Sequence, residues 1–399
     1  MSNQTTAAFR ENLSSTGFES PALWRAALNA MSEMEALVWG DPLVKDELTR
    51  AEGLRYLMRL IGAALPLTIE APSVEHPQFL NFINPRAHFG LPAPDCFYLW
   101  APIHGDHVYR IVGYKGSAHL FDMEIRNDHI SHIADWQLLD RRSDFEVGPD
   151  GQIEIYLSRE ERDGNWLKLP EGDCNLVFRQ YFYDWTNERP ANVRIECVGA
   201  SLPPAPLSAA DIHRRTEMFI DWFRNAPQQF AQVARSYYDA PKDALYFDAI
   251  SFGWKDLQYG KGIYECEVDE AVILEFTPPD VYYWSLQLSN HFWEARDYQL
   301  RQTSLNGHQA VLDDDGILRI VIAHKDPGVA NWLDAGGHTQ GLVAVRYYLA
   351  DTQPVPTLKR IPFSQLKSTL PTTTKQIDLD TRQQILKDRY SAVMNRNWV

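Results

Sequence analysis

The chain has 399 residues, enough for about two domains with sizeable cores. Its formal net charge of −15 argues against nucleic acid or an anionic membrane as main partner, because both reward basic surfaces. Four cysteines (Cys96, Cys174, Cys197, Cys266) without CxxC spacing argue against a zinc site or a disulfide frame.

The opening MSNQTTAAFREN is polar and lacks an apolar signal core, and no later stretch reaches membrane-spanning length. The expectation is a soluble cytoplasmic protein. Residues 1–75 read as a helical region. Ser20–Trp39 predicts a helix with Trp24, Leu28, Met31, Leu37 and Val38 on one face, stopped by Gly40-Asp41-Pro42. Thr49-x-x-Glu52 offers a capping box for a second helix, with Leu54, Leu57, Met58, Ile61 and Leu65 as its buried stripe.

From about Pro77 the period shortens. Segments such as FYLWAPI, HVYRIVGY, AHLFDMEI, QIEIYLS and NLVFRQYFY are aromatic or β-branched and separated by Gly, Asp and Pro, which predicts a β unit over 76–201. A Pro-rich LPPAPL opens a helical linker over 202–245. Ser208-x-x-Asp211 caps a run through Met218, Phe219, Trp222 and Phe223, with a break near Pro227 and a second piece to about Tyr238. Strand patterns return in a second unit over 246–365. Residues 366–399 read as an extended TTTKQIDLD and a helix over Thr381–Asn395, with Ile385, Leu386, Tyr390 and Val393 at helical spacing.

The two β segments repeat one order of parts. GNWLKLPEGDCNLVFRQYF in the first matches ANWLDAGGHTQGLVAVRYY in the second. Gly151 precedes Asn165 by 14 residues and Gly316 precedes Asn331 by 15, while His119 to Asn165 spans 46 and Tyr283 to Asn331 spans 48. Matched order and spacing point to an internal duplication. The fold class is therefore mainly β with α (α+β): two duplicated β-sandwich or jelly-roll-like units with N-terminal, inter-domain and C-terminal helices. In each copy the Asn and Trp (Asn165, Trp166, Asn331, Trp332) suit a structural corner, Asn satisfying backbone groups and Trp packing between sheets.

The stretches YYWSLQLSNHFWEARDY (Tyr282–Tyr298), TSLNGHQAVLDDDGILRIVIAHKDPGVANWLDAGGH (Thr303–His338) and VRYY (Val345–Tyr348) carry a resemblance. Over about Ile263–Tyr348 the second unit resembles the family named domain of unknown function 1214. APDCFYLWAPIHGDHVYRIVGYKG (Ala93–Gly116) is similar to the amino-terminal region often found with that domain. The resemblance implies a β-sandwich domain and no settled chemistry.

Chemistry has to come from individual residues. Asp334 and His338 flank Ala335-Gly336-Gly337, whose glycines permit a tight path that could pair carboxylate and imidazole as a general base; the alternative is a solvated loop. The first copy has Lys168 after its Asn-Trp-Leu and no His in its loop. Tyr283 could supply a phenol as acid or oxyanion donor, or belong to the core, and His119 is a further acid–base candidate. Candidates for substrate contact are Arg346, suited to anionic groups, with Trp284, Asp95 and Tyr98. Arg346 and Arg179 recur, so a contact with the corner or a nearby carboxylate is the structural alternative. His104-x-x-His107 and His129-x-x-His132 lack the spacing of a metal motif, and neither metal nor cofactor is expected.

The leading expectation is a cofactor-independent acid–base enzyme, a lyase cleaving C–C or C–O bonds or a hydrolase, acting on a small, partly aromatic molecule in a cleft between sheets or units. The alternative is a non-catalytic β-sandwich protein that binds carbohydrate or another small ligand. A homo-oligomer is compatible with either.

Overall fold

The computed structural model describes residues 21–241, 244–248 and 256–396; the polar N-terminal stretch and Ser20 lie outside the described residues. Helices α1 (Ala22–Glu33) and α2 (Ala36–Trp39) replace the single expected helix, and α3 (Glu47–Leu67) follows. Their buried faces correct the sequence reading. α1 buries Ala26, Ala27 and Ala30 and leaves Trp24 and Leu28 exposed; α3 buries Gly53, Leu60, Ala63 and Ala64 and leaves Leu54, Met58 and Leu65 exposed. Small side chains let these helices approach their neighbours closely, and a side chain at Gly53 has no room between Val38 and Phe292. The cap moves too. Asp46 accepts the Thr49 N–H at 2.8 Å, so α3 starts three residues earlier and Glu52 is not a capping group.

The first unit comprises β1 (Leu80–Ile83), β2 (Cys96–His104), β3 (Tyr109–Tyr114), β4 (Leu120–Asn127), β5 (Leu138–Arg142), β6 (Gln152–Ser158), β7 (Trp166–Lys168), β8 (Asp173–Tyr181) and β9 (Asn192–Cys197). The second comprises β10 (Tyr246–Asp248), β11 (Leu257–Glu265), β12 (Glu270–Phe276), β13 (Trp284–Ser289), β14 (Ser304–Asn306), β15 (Leu318–Ala323), β16 (Trp332–Asp334), β17 (Gln340–Tyr348) and β18 (Thr357–Pro362). Each unit packs a five-stranded sheet on a four-stranded one. The orders are β1-β2-β8-β4-β5 with β7-β6-β3-β9, and β10-β11-β17-β13-β14 with β16-β15-β12-β18. Strand for strand, the second order repeats the first. The fold is mainly β, in two duplicated units.

The repeated corner is the same in both. Asn165 donates from Nδ2 to the carbonyls of Glu146 (2.8 Å) and Glu154 (3.0 Å) and accepts the Glu146 N–H (2.8 Å). Asn331 does this with Val311 (2.6 Å), Arg319 (3.1 Å) and the Val311 N–H (2.9 Å). Trp166 and Trp332 each donate an indole N–H to the carbonyl eight or nine residues back, Ser158 and Ala323. One Asn side chain thus saturates three backbone groups where the chain crosses from one strand to its parallel neighbour.

Helix α4 (Ala209–Ser236) joins the units. Ser208 and Asp211 form the expected reciprocal capping box. The expected break at Pro227 does not occur. Pro227 is buried inside a continuous helix whose face of Phe219, Trp222, Phe223 and Phe230 enters the helical core, and that burial outweighs one lost backbone hydrogen bond. After α5 (Leu366–Thr369), helix α6 (Leu379–Arg396) closes the chain. Of the expected stripe it buries Val393, half-buries Ile385 and Leu386 and exposes Tyr390; Ala392 and three arginines, Arg382, Arg389 and Arg396, complete the buried face. No helix among the described residues is long and apolar enough to cross a membrane.

Candidate functional site

The repeat places two arginines in equivalent positions. On β8, Arg179 lies opposite Tyr98 and Asp122; on β17, Arg346 lies opposite Tyr259 and Ser285. Counting two residues along β4 and β13 then makes Glu124 the counterpart of Gln287. Arg179 donates to the Glu124 carboxylate, which also takes two bonds from Arg126, at 3.0 and 2.7 Å. Burial pushes the Glu124 carboxyl up, but the charges of Arg179 and Arg126 more than offset this and hold it below its ordinary range. Asp122 beside it is driven up to about 7 by burial and by the Glu124 charge, against the pull of Arg141.

Arg346 has no such partner. Its Nη1 donates to the Gln287 amide oxygen and its Nη2 to the Leu91 carbonyl at 2.9 Å; among the described residues no carboxylate pairs with it. Gln287 Nε2 donates to the Pro92 carbonyl at 3.1 Å, which fixes the amide with its oxygen toward Arg346. A buried guanidinium stays charged, so this copy of the repeat carries a cation without a counter-ion.

Both guanidiniums line one cavity of about 90 Å³ at the junction of the two five-stranded sheets and α4. Phe82, Phe89, Trp136, Phe230 and Trp293 form its apolar wall, and Tyr98, Tyr181 and Tyr259 its phenol-bearing wall. Burial pushes the Tyr98 and Tyr181 hydroxyls well above the ordinary phenol range, so both stay protonated. The Tyr98 hydroxyl accepts the Ala93 N–H at 2.9 Å, which sets the loop leading into β2. Two lining residues other than glycine have positive φ, Leu91 (46°) and Trp293 (60°), and they are tied to each other through Leu91 N–H and the Trp293 carbonyl at 2.7 Å. Such conformations are costly and gather where surrounding structure holds a site in shape.

Arg346 and Tyr98, expected to touch substrate, therefore meet in the cavity; the other candidates do not. His338 lines a separate depression, Asp334 does not, and the two are not bonded to each other. Asp334 takes Arg301 at 2.6 Å and the Gly336 N–H at 2.8 Å, while His338 Nε2 lies 3.2 Å from Glu52 of α3. The tight Gly336-Gly337 turn folds Asp334 back on its own backbone, and the imidazole finds its carboxylate on another element. Asp95 and Tyr283 are buried partners at 2.7 Å, and Asp95 also accepts Trp185 Nε1 (2.6 Å) and Asn306 Nδ2 (2.9 Å). Burial raises the Asp95 carboxyl despite these donors. This network bolts the first unit to the second. His119 stacks on Tyr282 with ring centroids 4.0 Å apart and lies 2.6 Å from its carbonyl, again across the units. Trp284 packs into the second unit's core against Phe276.

Sequence spacing pairs His119 with Tyr283, whereas the strand register pairs His119 with Tyr282 and Leu120 with Tyr283. An offset of one exchanges the two faces of a strand. The repeated Arg179 does meet a nearby carboxylate, one of the structural alternatives for the arginine pair, in Glu124. Sequence reasoning passed over Tyr181, Tyr259 and the α4 and loop aromatics that line the cavity, although Glu124 against Gln287 was visible in LFDMEI and YWSLQL. Among the described residues no group of three or more His, Cys, Asp or Glu could hold a metal ion. His129 caps a short 3₁₀ turn, and His132 pairs with Asp128 at 2.9 Å.

The family model described as Protein of unknown function (DUF1214) matches residues 101–183 and 265–352. Both β units resemble one family. The first unit, tied by sequence only to a region found alongside that domain, thus carries a DUF1214 match of its own. A crystal structure of an uncharacterised protein from Burkholderia cenocepacia is similar over 88% of this chain and 99% of that one, at 28% identity and a TM-score of 0.83. The VPA0106 protein from Vibrio parahaemolyticus covers 76% of this chain and 97% of its own at 12% identity and a TM-score of 0.43. No curated protein matches the chain. The DUF1214 likeness covers the strands that carry Arg179 and Arg346.

Proposed function

We propose that the protein binds a small organic anion with an apolar, aromatic-sized body in the cavity between its two units. The observation that carries this is the exchange of Glu124 for Gln287 at equivalent positions of the repeat: the first unit supplies its arginine with a carboxylate, and the second leaves that place to a ligand. A ligand carboxylate would take the donors of Arg346 not used by Gln287 and Leu91, while Phe82, Phe89, Phe230 and Trp293 enclose its hydrophobic part.

This favours the non-catalytic small-ligand reading at this site over acid–base turnover. The polar groups lining the cavity are guanidiniums and protonated phenols, and no imidazole lines it among the described residues. Monocarboxylates such as benzoate and phenylacetate are suitable probes. Calorimetric titration should show binding of these and none of benzyl alcohol, which has the same body without the charge. Equal affinity for the charged and neutral probes contradicts the proposal.

A further inference from the structure

We infer that His338 is the general base of a second site, an open depression between α3 and the second unit that takes small carboxylic esters. The depression encloses about 310 Å³ and lies apart from the Arg346 cavity. Glu52 reaches it from α3, and its Oε1 lies 3.2 Å from His338 Nε2. That contact fixes the ring: Nε2 carries the proton toward the carboxylate, and Nδ1 keeps its lone pair. Nδ1 has no partner among the described residues.

Positive charge stands ready for an oxyanion. Arg296 is buried, lines the depression and pairs with no carboxylate among the described residues; its Nε has no hydrogen-bond partner. Arg55 lies 3.8 Å from Glu52 and 3.9 Å from Asp297. Burial pushes the Glu52 carboxyl up, and the hydrogen bond and charge of His338, then Arg296 and Arg55, bring it below its ordinary range. Glu52 is thus an anion that can hold an imidazolium as it forms. The other charged groups around His338 are Asp46 at the head of α3 and Asp297 and Arg301 on the loop after β13, with Arg301 held by Asp334.

In the reaction, Nδ1 takes a proton from water as the water oxygen bonds to the acyl carbon. The bond from that carbon to the leaving oxygen then breaks, and the imidazolium returns the proton to the departing alkoxide. Glu52 is a positioning residue, acting through His338.

The test is hydrolysis of p-nitrophenyl acetate by the full chain, with melting temperature measured alongside. Wild type should exceed His338→Gln by ~10²-fold, within the range typical of general-base catalysis. Glu52→Gln should lose about tenfold, since the carboxylate that orients the ring and stabilises imidazolium is gone, and Glu52→Asp should recover part of the loss. Equal rates for wild type and a folded His338→Gln, or no wild-type rate above buffer, overturn the inference. Should His338→Gln fail to fold, a folded Glu52→Gln that keeps the wild-type rate overturns it equally.

Discussion

Arg346 donates to Gln287 across β17 and β13 at the place where the first unit sets Arg179 against Glu124. Duplication lets the protein be compared with itself. One copy closes its ion pair internally, and the other presents the same cation to a cavity. The consequences extend from ligand binding to how the two units are held.

Tyr283 serves the junction between the units rather than the cavity. Tyr283→Phe removes a 2.7 Å bond to buried Asp95 and leaves that oxygen without its donor, at a cost of about 1–3 kcal/mol. Chemical denaturation should register this loss, while carboxylate binding stays within twofold of wild type. A folded variant that loses binding would bring Tyr283 into the ligand site.

The two corners should respond alike. Asn165→Ala and Asn331→Ala each strip three backbone groups of their partner, so each should cost about 2–4 kcal/mol. Denaturant midpoints of the two variants give the comparison. A much larger effect on ligand binding from Asn331 than from Asn165, at matched stability, would show a role beyond the corner.

Helix α6 clamps the units through arginines seven residues apart. Arg389 donates to Ser304 Oγ at 2.9 Å in the second unit and lies 4.4 Å over the Trp185 ring of the first; Arg396 stacks on the same ring at 4.4 Å and donates to the Pro94 carbonyl. Arg389→Ala should release α6, and limited proteolysis should then cut within 379–396 before any other site. Unchanged protection would mean that Ala392 and Val393 suffice to hold the helix.

Much of the architecture was legible because period-2 segments, Gly-containing turns and the Asn-Trp-Leu block are local signals. The helices were read less well. Leu54, Met58 and Leu65 look like a core stripe, yet α3 turns its small residues inward because close approach to α2 and Phe292 demands it. In α6 three arginines share the buried face with Ala392 and Val393, their long stems packing while their charges meet carbonyls and rings, so hydropathy marks that face only in part. The site itself was half visible. Arg346 and Tyr98 stand out as residue types, but the cavity depends on which strands become neighbours and on loop aromatics such as Trp136 and Trp293.

The pH dependence of stability should carry a histidine signature. Burial drives the His88 imidazole from 6.5 down to about 3, and its Nδ1 donates to the Ala295 carbonyl at 2.9 Å. Between these values the unfolded chain binds a proton that the native state refuses. The His88 contribution is therefore complete above pH 6.5 and is lost as pH falls toward 3, by roughly 2–3 kcal/mol between pH 7 and 4.5. Urea titrations of wild type and His88→Gln at the two pH values should show a smaller difference in the variant. Parallel losses would place the acid sensitivity elsewhere.

The central claim is that Arg346 lacks a counter-ion and a ligand provides it. Calorimetric titration of benzoate into wild type and Gln287→Glu tests this most directly, because the substitution gives the second unit the carboxylate that Glu124 gives the first. The expected result is a folded variant whose affinity falls by at least ~10–100-fold, as the loss of a charged hydrogen bond worth about 1.5–3 kcal/mol requires. Benzoate binding to Gln287→Glu as tight as to wild type would contradict the account.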